Sequence, residues 1–440
     1  MRAPPLPGRQ AHGSHHVRLD VPPRVHDRVH FFRGRDGSSK GWTWSGPQSE
    51  RSTTMRLKRL TFEDKRTGWK LEDLRLDSFN LLVGASGVGK TRILRALLAI
   101  SRISQDARVP DMDQGVLFDM RFEQDGQHYG WRFDSISRAN DESGTATHPK
   151  ESPLSILGER LFRMDPTGKE EILVERDEKR FLFKNKELPM LNRASSALLL
   201  FEEPTIEKLR QAFSECVLDT LSETTLPPLR MRDVRAWITH SFPTFEALRG
   251  DTSTRTTIKA FALQEKFPDK FDDFKQRFID IFPTVEDVAV GIRQVAGVGR
   301  NISYDTLLFR IKERGVPSWI EDSDISSGMN RTLHHIVDLM LTPEGTVVLI
   351  DEFENSLGVN CMGPLTDLLL SRANELQFIV TSHHPYIINN IPKAYWKVVR
   401  RKGSTVRVTP ASEIAALQGP SAQDDFIRLL NSSEFEEGLG

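Results

Sequence analysis

Cysteine is almost missing from this chain of 440 residues: only Cys216 and Cys361 occur, far apart, with no Cys-x-x-Cys pair and no His-rich companion. That excludes a disulfide framework and a thiolate zinc site, and makes a reducing cytoplasm the expected setting. Net charge is missing too. The 60 Lys and Arg face 61 Asp and Glu, so no global basic field draws nucleic acid, and any such contact must come from a local patch. The longest apolar runs, near Ala197 to Phe201 and Val347 to Ile350, fall far short of the roughly 20 residues that cross a bilayer, so no membrane partner is expected. Met1 to Thr54 contains no Ile, is rich in Arg, His and Pro, and follows neither a helical nor a strand period. Without the apolar stretch of a secretory signal, it is expected to stand outside the fold as a disordered basic arm or, preferably, a translated leader ahead of Met55.

What is present begins with Gly84-Ala85-Ser86-Gly87-Val88-Gly89-Lys90-Thr91, a full match to the phosphate-loop pattern G-x-x-x-x-G-K-[ST]. Its context fits: Phe79 to Val83 is an apolar run of strand length, and Ile93, Leu94, Leu97 and Leu98 recur at helical spacing just after it. A strand entering and a helix leaving aim backbone N–H groups and a helix N-terminus at phosphates. Gly84 through Arg92 is therefore the expected nucleotide contact for ATP, with Lys90 on the β and γ phosphates and the Thr91 hydroxyl on Mg²⁺.

Along the chain, Leu57, Leu60 and Phe62 predict a first strand and Leu71 to Leu76 a second. Val116 to Phe122 and Tyr129 to Phe133 flank Asp125-Gly126 as a hairpin. Ser135 to Pro153 reads as a loop, and Arg160 to Met164, Ile172 to Arg176 and Arg180 to Phe183 as further strands of an antiparallel subdomain. Ile206, Leu209, Phe213 and Val217 share one helical face, as do Phe267, Phe271, Phe274 and Phe278, which predicts core-facing helices rather than a ligand pocket. Between them Arg230, Arg232 and Arg235 gather beside a proline turn, a candidate contact for a partner or nucleic acid whose default is a solvated loop. Val285 to Ile292 and Tyr304 to Ile311 return to strand character, and there the chain is expected to rejoin the nucleotide core. The resulting boundaries are an arm at 1–54, a first half of the core with the antiparallel subdomain at 55–200, a helical insert at 201–283, a second half at 284–410 and a tail at 411–440.

Thr346 to Ile350 followed by Asp351 and Glu352 reads as a strand buried on both faces that ends in two acids. It resembles a Walker B motif, with Asp351 holding Mg²⁺ and Glu352 polarising the attacking water. Upstream, Ile325-Ser326-Ser327-Gly328 opens a helix carried by Leu333, Ile336, Val337 and Met340. On its own it is an N-cap with hydroxyls and N–H groups at a positive helix end; ahead of the Walker B strand it resembles the Leu-Ser-Gly-Gly signature of ABC-type ATPases, without the first glycine. Downstream, Phe378 to Thr381 runs into Ser382-His383-His384-Pro385, which resembles the switch-histidine strand with His383 in the family position.

Phosphate loop, signature, Walker B and switch histidine, in that order and with a long insert after the first, resemble the SMC-like and OLD-like branch of ABC-type ATPases over about Met55 to Arg407. Asp351-Glu352-Phe353-Glu354-Asn355-Ser356-Leu357 and Thr381 to Pro385 are similar to the ATPases of bacterial antiphage systems such as Septu, PARIS and retron cassettes. The Q-loop is not singled out; Gln114, Gln124 and Gln127 each stand in range. The resemblance implies an α/β P-loop NTPase of ABC-ATPase type, a mixed-sheet core carrying the antiparallel subdomain and the insert. It further implies a homodimer or higher oligomer whose heads pair head to tail, the phosphate loop of one facing Ser326, Ser327 and Gly328 of the other. The output would be conformational, acting on a separate effector such as a nuclease, with Lys90, Glu352 and His383 as the catalytic set. An SMC-like DNA-binding ATPase of repair or maintenance is the alternative, with DNA or RNA touched by Arg230, Arg232, Arg235 and the Lys397 to Lys402 run.

Overall fold

The computed structural model describes residues 54–105, 114–137, 154–190, 193–215, 217–219, 234–251, 254–296 and 303–417, with Asp424 and Arg428. All of them belong to the unit Arg51–Gly440. The expected arm up to Thr53, the stretch 138–153, Arg230, Arg232 and most of the tail lie outside the described residues.

In chain order, strands β1 (Met55–Asp64), β2 (Trp69–Arg75) and β3 (Phe79–Val83) lead to helix α1 (Lys90–Ile103). An antiparallel run follows: β4 (Val116–Gln124), β5 (Gln127–Ser137), β6 (Leu154–Met164), β7 (Glu170–Arg176), β8 (Phe181–Phe183) and β9 (Lys186–Glu187). Then come α2 (Ala197–Leu200), α3 (Pro204–Glu215), β10 (Val217–Asp219), α4 (Val234–Ser241), α5 (Phe245–Gly250), α6 (Thr256–Lys266) and α7 (Pro268–Ile281). The last third holds β11 (Val285–Ala296), β12 (Ser303–Glu313), β13 (Ile320–Glu321), α8 (Ser327–Leu341) and β14 (Val347–Ile350). It ends with α9 (Val359–Ser371), β15 (Gln377–Thr381), α10 (Pro385–Asn390), β16 (Trp396–Lys402) and β17 (Thr405–Pro410).

Among the described residues, fourteen strands form one mixed sheet in the order β10-β14-β15-β3-β16-β17-β2-β1-β4-β5-β6-β7-β8-β9. Its parallel block is β10-β14-β15-β3-β16, and of these β3, β14 and β15 are the strands read from uninterrupted apolar runs. Strands buried on both faces need apolar residues at every position, and all residues of β3, β14 and β15 are buried. Side chains alternate between the faces. Phe79, Leu81, Val83, Val348, Ile350, Phe378 and Val380 join the core under α6 to α9, whereas Leu82, Val347, Leu349 and Ile379 join the core under α1 and α3. Asn80 is the polar exception within β3. Its amide donates to the carbonyls of Phe378 (3.0 Å) and Asp77 (2.8 Å), so the buried group is satisfied while it fastens β3 to β15.

Four sequence expectations change here. Val217 is not the last residue of a helical face: α3 ends at Glu215, and Val217 opens β10, which pairs in parallel with the strand of the two acids. Ser135 to Ser137 continue β5 rather than starting a loop. Phe267 precedes α7 as its N-cap residue, while Phe271, Phe274 and Phe278 are buried in the core; burying each contributes about 2–3 kcal/mol, which accounts for the stripe without a ligand. Finally, β11 to β13 do not rejoin the large sheet. They form a three-stranded sheet of their own, whose face of Val288, Val290, Phe309 and Ile311 packs into the same core as α6 and α7. Alternation identifies a half-buried strand but not its partner.

Candidate functional site

The phosphate loop lies between the end of β3 and the start of α1. Gly87 (φ 84°) and Gly89 (φ 107°) take the left-handed region, which bends the chain back under the helix and costs little only for glycine. Gly84 is fixed differently: a Cβ there would stand 2.5 Å from the Val399 carbonyl oxygen on β16. Among the described residues no side chain caps the N-terminus of the 14-residue helix α1, and its first turn holds no acid. Its amides thus form an anion-accepting end. Lys90 Nζ donates to the carbonyls of Gly84 (2.8 Å) and Ala85 (3.0 Å). Burial lowers its pKa, opposed by the charges of Asp351, Glu354 and Glu352 in that order, which places lysine and acids within electrostatic reach of one another.

Arg92, included in the expected nucleotide contact, turns its side chain elsewhere. It donates to Asp64 (2.9 Å) and to the Thr67 hydroxyl and lies over the Trp69 ring at 5.2 Å. It braces the turn between β1 and β2 against α1, with Trp69 wedged beside Gly89.

On the neighbouring strands, β14 runs out at Ile350 into Asp351, and β15 ends at Thr381. The Thr381 hydroxyl joins them, donating to Asp351 Oδ1 (2.5 Å) and accepting the Glu352 amide (2.7 Å). Glu352 sits at φ 46°, a left-handed conformation rare for a residue with a Cβ. Glu354 is buried; one of its oxygens accepts the His383 amide (2.9 Å) and lies 3.1 Å from His383 Nδ1. His384, by contrast, caps α10 by accepting the Tyr386 amide on Nδ1 (3.2 Å).

Ser326 is the N-cap of α8, its side chain accepting the Met329 amide at 3.3 Å. Ser326 and Ser327 are exposed. Gly328 is pressed against the chain after the acids, where a Cβ would stand 2.9 Å from the Ser356 carbonyl oxygen. One turn on, Arg331 Nε donates to His335 Nε2 (3.2 Å). Burial lowers the Arg331 pKa, and the charges of Glu354 and then Glu352 oppose it. Sequence reasoning gives Arg331, Glu354, Thr381 and His335 no individual role; the third acid in Asp351-Glu352-Phe353-Glu354 is the signal that could have found one of them.

His335 must be neutral to accept from Arg331, and burial does lower it to about 3, helped by the charges of Arg331 and His334. Burial lowers His334 to about 4. Both titrate near about 6.5 in an unfolded chain. As pH falls below that value the unfolded state binds their protons first, so stability is lost on acidification, by about 1.4 kcal/mol per pH unit for each histidine. Denaturant midpoints should fall steadily below about pH 6.5, and His334→Leu should reduce the slope. Equal slopes in wild type and variant would contradict the burial argument.

Two Q-loop candidates lie at the wrong end of the sheet. Asp64, beside Arg92, pairs with Val116, whereas Gln124 and Gln127 pair with each other at the opposite end of β4, about 27 Å away at strand rise. Gln114 is at the near end. Of the basic run, Lys397 is buried and bound to Asp77 at 2.6 Å, and Arg401 donates to the Gly403 carbonyl (2.7 Å) and the Gly87 carbonyl (3.4 Å). Arg235 pairs with Glu265 at 2.9 Å.

No curated protein matches the chain significantly. Residues 257–389 match the family described as "AAA domain, putative AbiEii toxin, Type IV TA system"; this range holds α8, Asp351, Glu352 and His383 but not the phosphate loop. Among solved structures, an SmcHead bound to the C-winged helix domain of ScpA has a TM-score of 0.43 at 13% identity, covering 80% of this chain and 96% of the other. A second Smc head domain with an extended coiled coil, bound to the C-terminal domain of ScpA derived from Pyrococcus furiosus, has a TM-score of 0.42 at 13% identity over 81% and 96%. The SMC head domain from Thermotoga maritima has a TM-score of 0.36 at 12% identity over 81% and 98%. With the phosphate loop between β3 and α1, and paired acids two strands away in the same parallel block, the chain has an α/β P-loop NTPase fold with a mixed-sheet core, an antiparallel β subdomain and a helical insert.

Proposed function

We propose that this chain binds and hydrolyses ATP as an ABC-type nucleotide switch. The observation that carries this is the convergence of Lys90 with Asp351, Glu352 and Glu354 at the ends of neighbouring parallel strands. Gly84 to Thr91 cradle the triphosphate and Lys90 reaches its outer phosphates. One hydroxyl, Thr91, and one carboxylate, Asp351, suit Mg²⁺, which keeps most of its ligands as water and phosphate oxygens. When bound, Mg²⁺ would neutralise charge on the β and γ phosphates. Glu352, its backbone amide anchored on Thr381, polarises the attacking water, and His383 faces the γ-phosphate side. Gln114 is the candidate for the Q-loop.

Two copies pair head to tail, so that exposed Ser326 and Ser327, with Gly328, meet the phosphate loop of the partner; binding closes the pair and hydrolysis opens it. The likeness of Asp351 to Leu357 and Thr381 to Pro385 to antiphage ATPases supports a separate effector, a nuclease, controlled by this cycle in the cytoplasm. No described helix is long and apolar enough to cross a membrane. An SMC-like role on DNA would have to rely on residues other than Lys397 and Arg235, which are already engaged.

The direct test is Lys90→Ala. ATP affinity should fall by about tenfold or more and hydrolysis should vanish, since the lysine is a charged partner of the transferred phosphate, while the melting temperature stays near the wild-type value. Unchanged ATP affinity would sink the assignment.

A further inference from the structure

The hairpin of β16 and β17 belongs to none of the steps above, yet it closes on the phosphate loop at three points. The Val399 carbonyl oxygen would stand 2.5 Å from a Cβ on Gly84, and Val406 Cγ2 would stand 3.3 Å from one on Gly89. At the third point Arg401 Nη1 donates to the Gly87 carbonyl at 3.4 Å. The other basic residues of the hairpin that face a partner are already bound: Lys397 pairs with Asp77, Arg407 pairs with Glu72, and Arg400 donates to the Thr409 hydroxyl. Arg401 is half-buried and pairs with no acid among the described residues.

Its two bonds differ in kind. Nε is fixed at 2.7 Å on the carbonyl of Gly403, the residue at φ 59° that turns the hairpin, whereas the bond to Gly87 is at the long end of hydrogen bonding and little is lost by leaving it. A neutral donor would serve a clamp on Gly87 equally well. A guanidinium without an acid partner, its Nη edge toward the loop beside Lys90 and the positive end of α1, adds a charge that suits an anion. The sheet order says which part of that anion it meets. In the ATPase reading the γ-phosphate lies toward Asp351, Glu352 and His383, at the ends of β14 and β15, while β16 and β17 flank β3 on its opposite side. A phosphate chain laid along the loop therefore has its γ end at the acids and its nucleoside end at the hairpin.

We propose that Arg401 is a nucleotide-binding residue, whose guanidinium turns from the Gly87 carbonyl to the phosphate next to the nucleoside, a group that ATP and ADP share. The inference rests on the nucleotide-binding part of the reading above and not on hydrolysis.

The test is the affinity of the full chain for ADP and for a non-hydrolysable ATP analogue, measured by calorimetry in wild type and in Arg401→Ala, Arg401→Gln and Arg401→Lys. Arg401→Ala should weaken both ligands by the same factor, about tenfold. Arg401→Gln keeps an N–H donor for Gly87 but no charge, and should be as weak as Arg401→Ala. Arg401→Lys keeps the charge and should recover most of the affinity. In turnover the loss in Arg401→Ala should appear in KM for ATP rather than in kcat, as for a contact made equally in the ground and transition states. Wild-type affinity in Arg401→Ala overturns the proposal. Recovery by Arg401→Gln but not by Arg401→Lys also overturns it, leaving a clamp on Gly87, and a loss confined to the ATP analogue does so by moving Arg401 to the γ end. A wild type that binds both ligands and hydrolyses nothing, with the Ala, Gln and Lys pattern intact, refutes the ATPase reading and leaves the Arg401 contact standing.

Discussion

Glu352→Gln protein is expected to bind ATP as tightly as wild type and to turn it over about a hundredfold to ten-thousandfold more slowly, the range that a positioned general base contributes. The expectation follows from how the residue is held. Glu352 adopts φ 46°, which costs about 1–3 kcal/mol for a residue with a Cβ. The bond between its amide and the Thr381 hydroxyl, itself anchored on Asp351, helps to maintain that conformation. Gln has the same shape and backbone demands, so the turn survives and only the charge that polarises water is lost. The loss should therefore appear in kcat rather than in nucleotide affinity. Thr381→Val is the informative companion: it keeps the shape of the side chain but frees both Asp351 and the Glu352 amide, so it should weaken Mg²⁺ dependence and kcat together. Normal turnover by Glu352→Gln would move the catalytic acid elsewhere, with Glu354 the next residue to test.

The parts of this molecule that were legible in sequence are those whose partners do not matter to the pattern. A strand buried on both faces shows itself as an apolar run whichever strands flank it, and so β3, β14 and β15 could be read from Phe79 to Val83, Thr346 to Ile350 and Phe378 to Thr381. The phosphate loop was legible because left-handed turns at Gly87 and Gly89 and the close approach at Gly84 demand glycine at fixed spacing. What was hidden depends on pairing across the chain. Three residues at Val217–Asp219 carry too little pattern to reveal an edge strand beside β14. The alternation in β11 and β12 could not say that they pair with each other away from the large sheet. Lys397 looked like one more cation in a basic run, yet its partner Asp77 is 320 positions away and the pair is seated at the root of β3. The roles of Thr381 and Glu354 were hidden for the same reason. Each acts across 29 or 30 positions, between the ends of two strands that only the sheet brings together.

The head-to-tail site makes the most demanding claim, because it assigns Ser326 and Gly328 to a γ-phosphate held by the Lys90 of another copy. Ser326→Arg protein and Lys90→Ala protein should each be inactive alone. Ser326 is exposed at the N-cap of α8, so the arginine fits the fold while placing bulk at the pairing surface. Mixed, the two proteins should form heterodimers with one intact composite site, joining the normal phosphate loop of the first to the normal signature of the second. If subunits exchange at random and one site fires alone, an equal mixture should regain roughly a quarter of wild-type activity, because half of the dimers are mixed and each has one of two sites. A signature acting in cis predicts no recovery, since each chain would then carry one broken element of its own site. Obligate coupling of two sites also predicts none, and a tethered dimer with one wild-type and one doubly substituted subunit separates the cases. Under the trans arrangement that dimer has no intact site and is dead, whereas under the cis arrangement its wild-type half works. Activity in the tethered dimer, with none in the complementing mixture, would return Ser326 and Gly328 to the role of an ordinary helix cap.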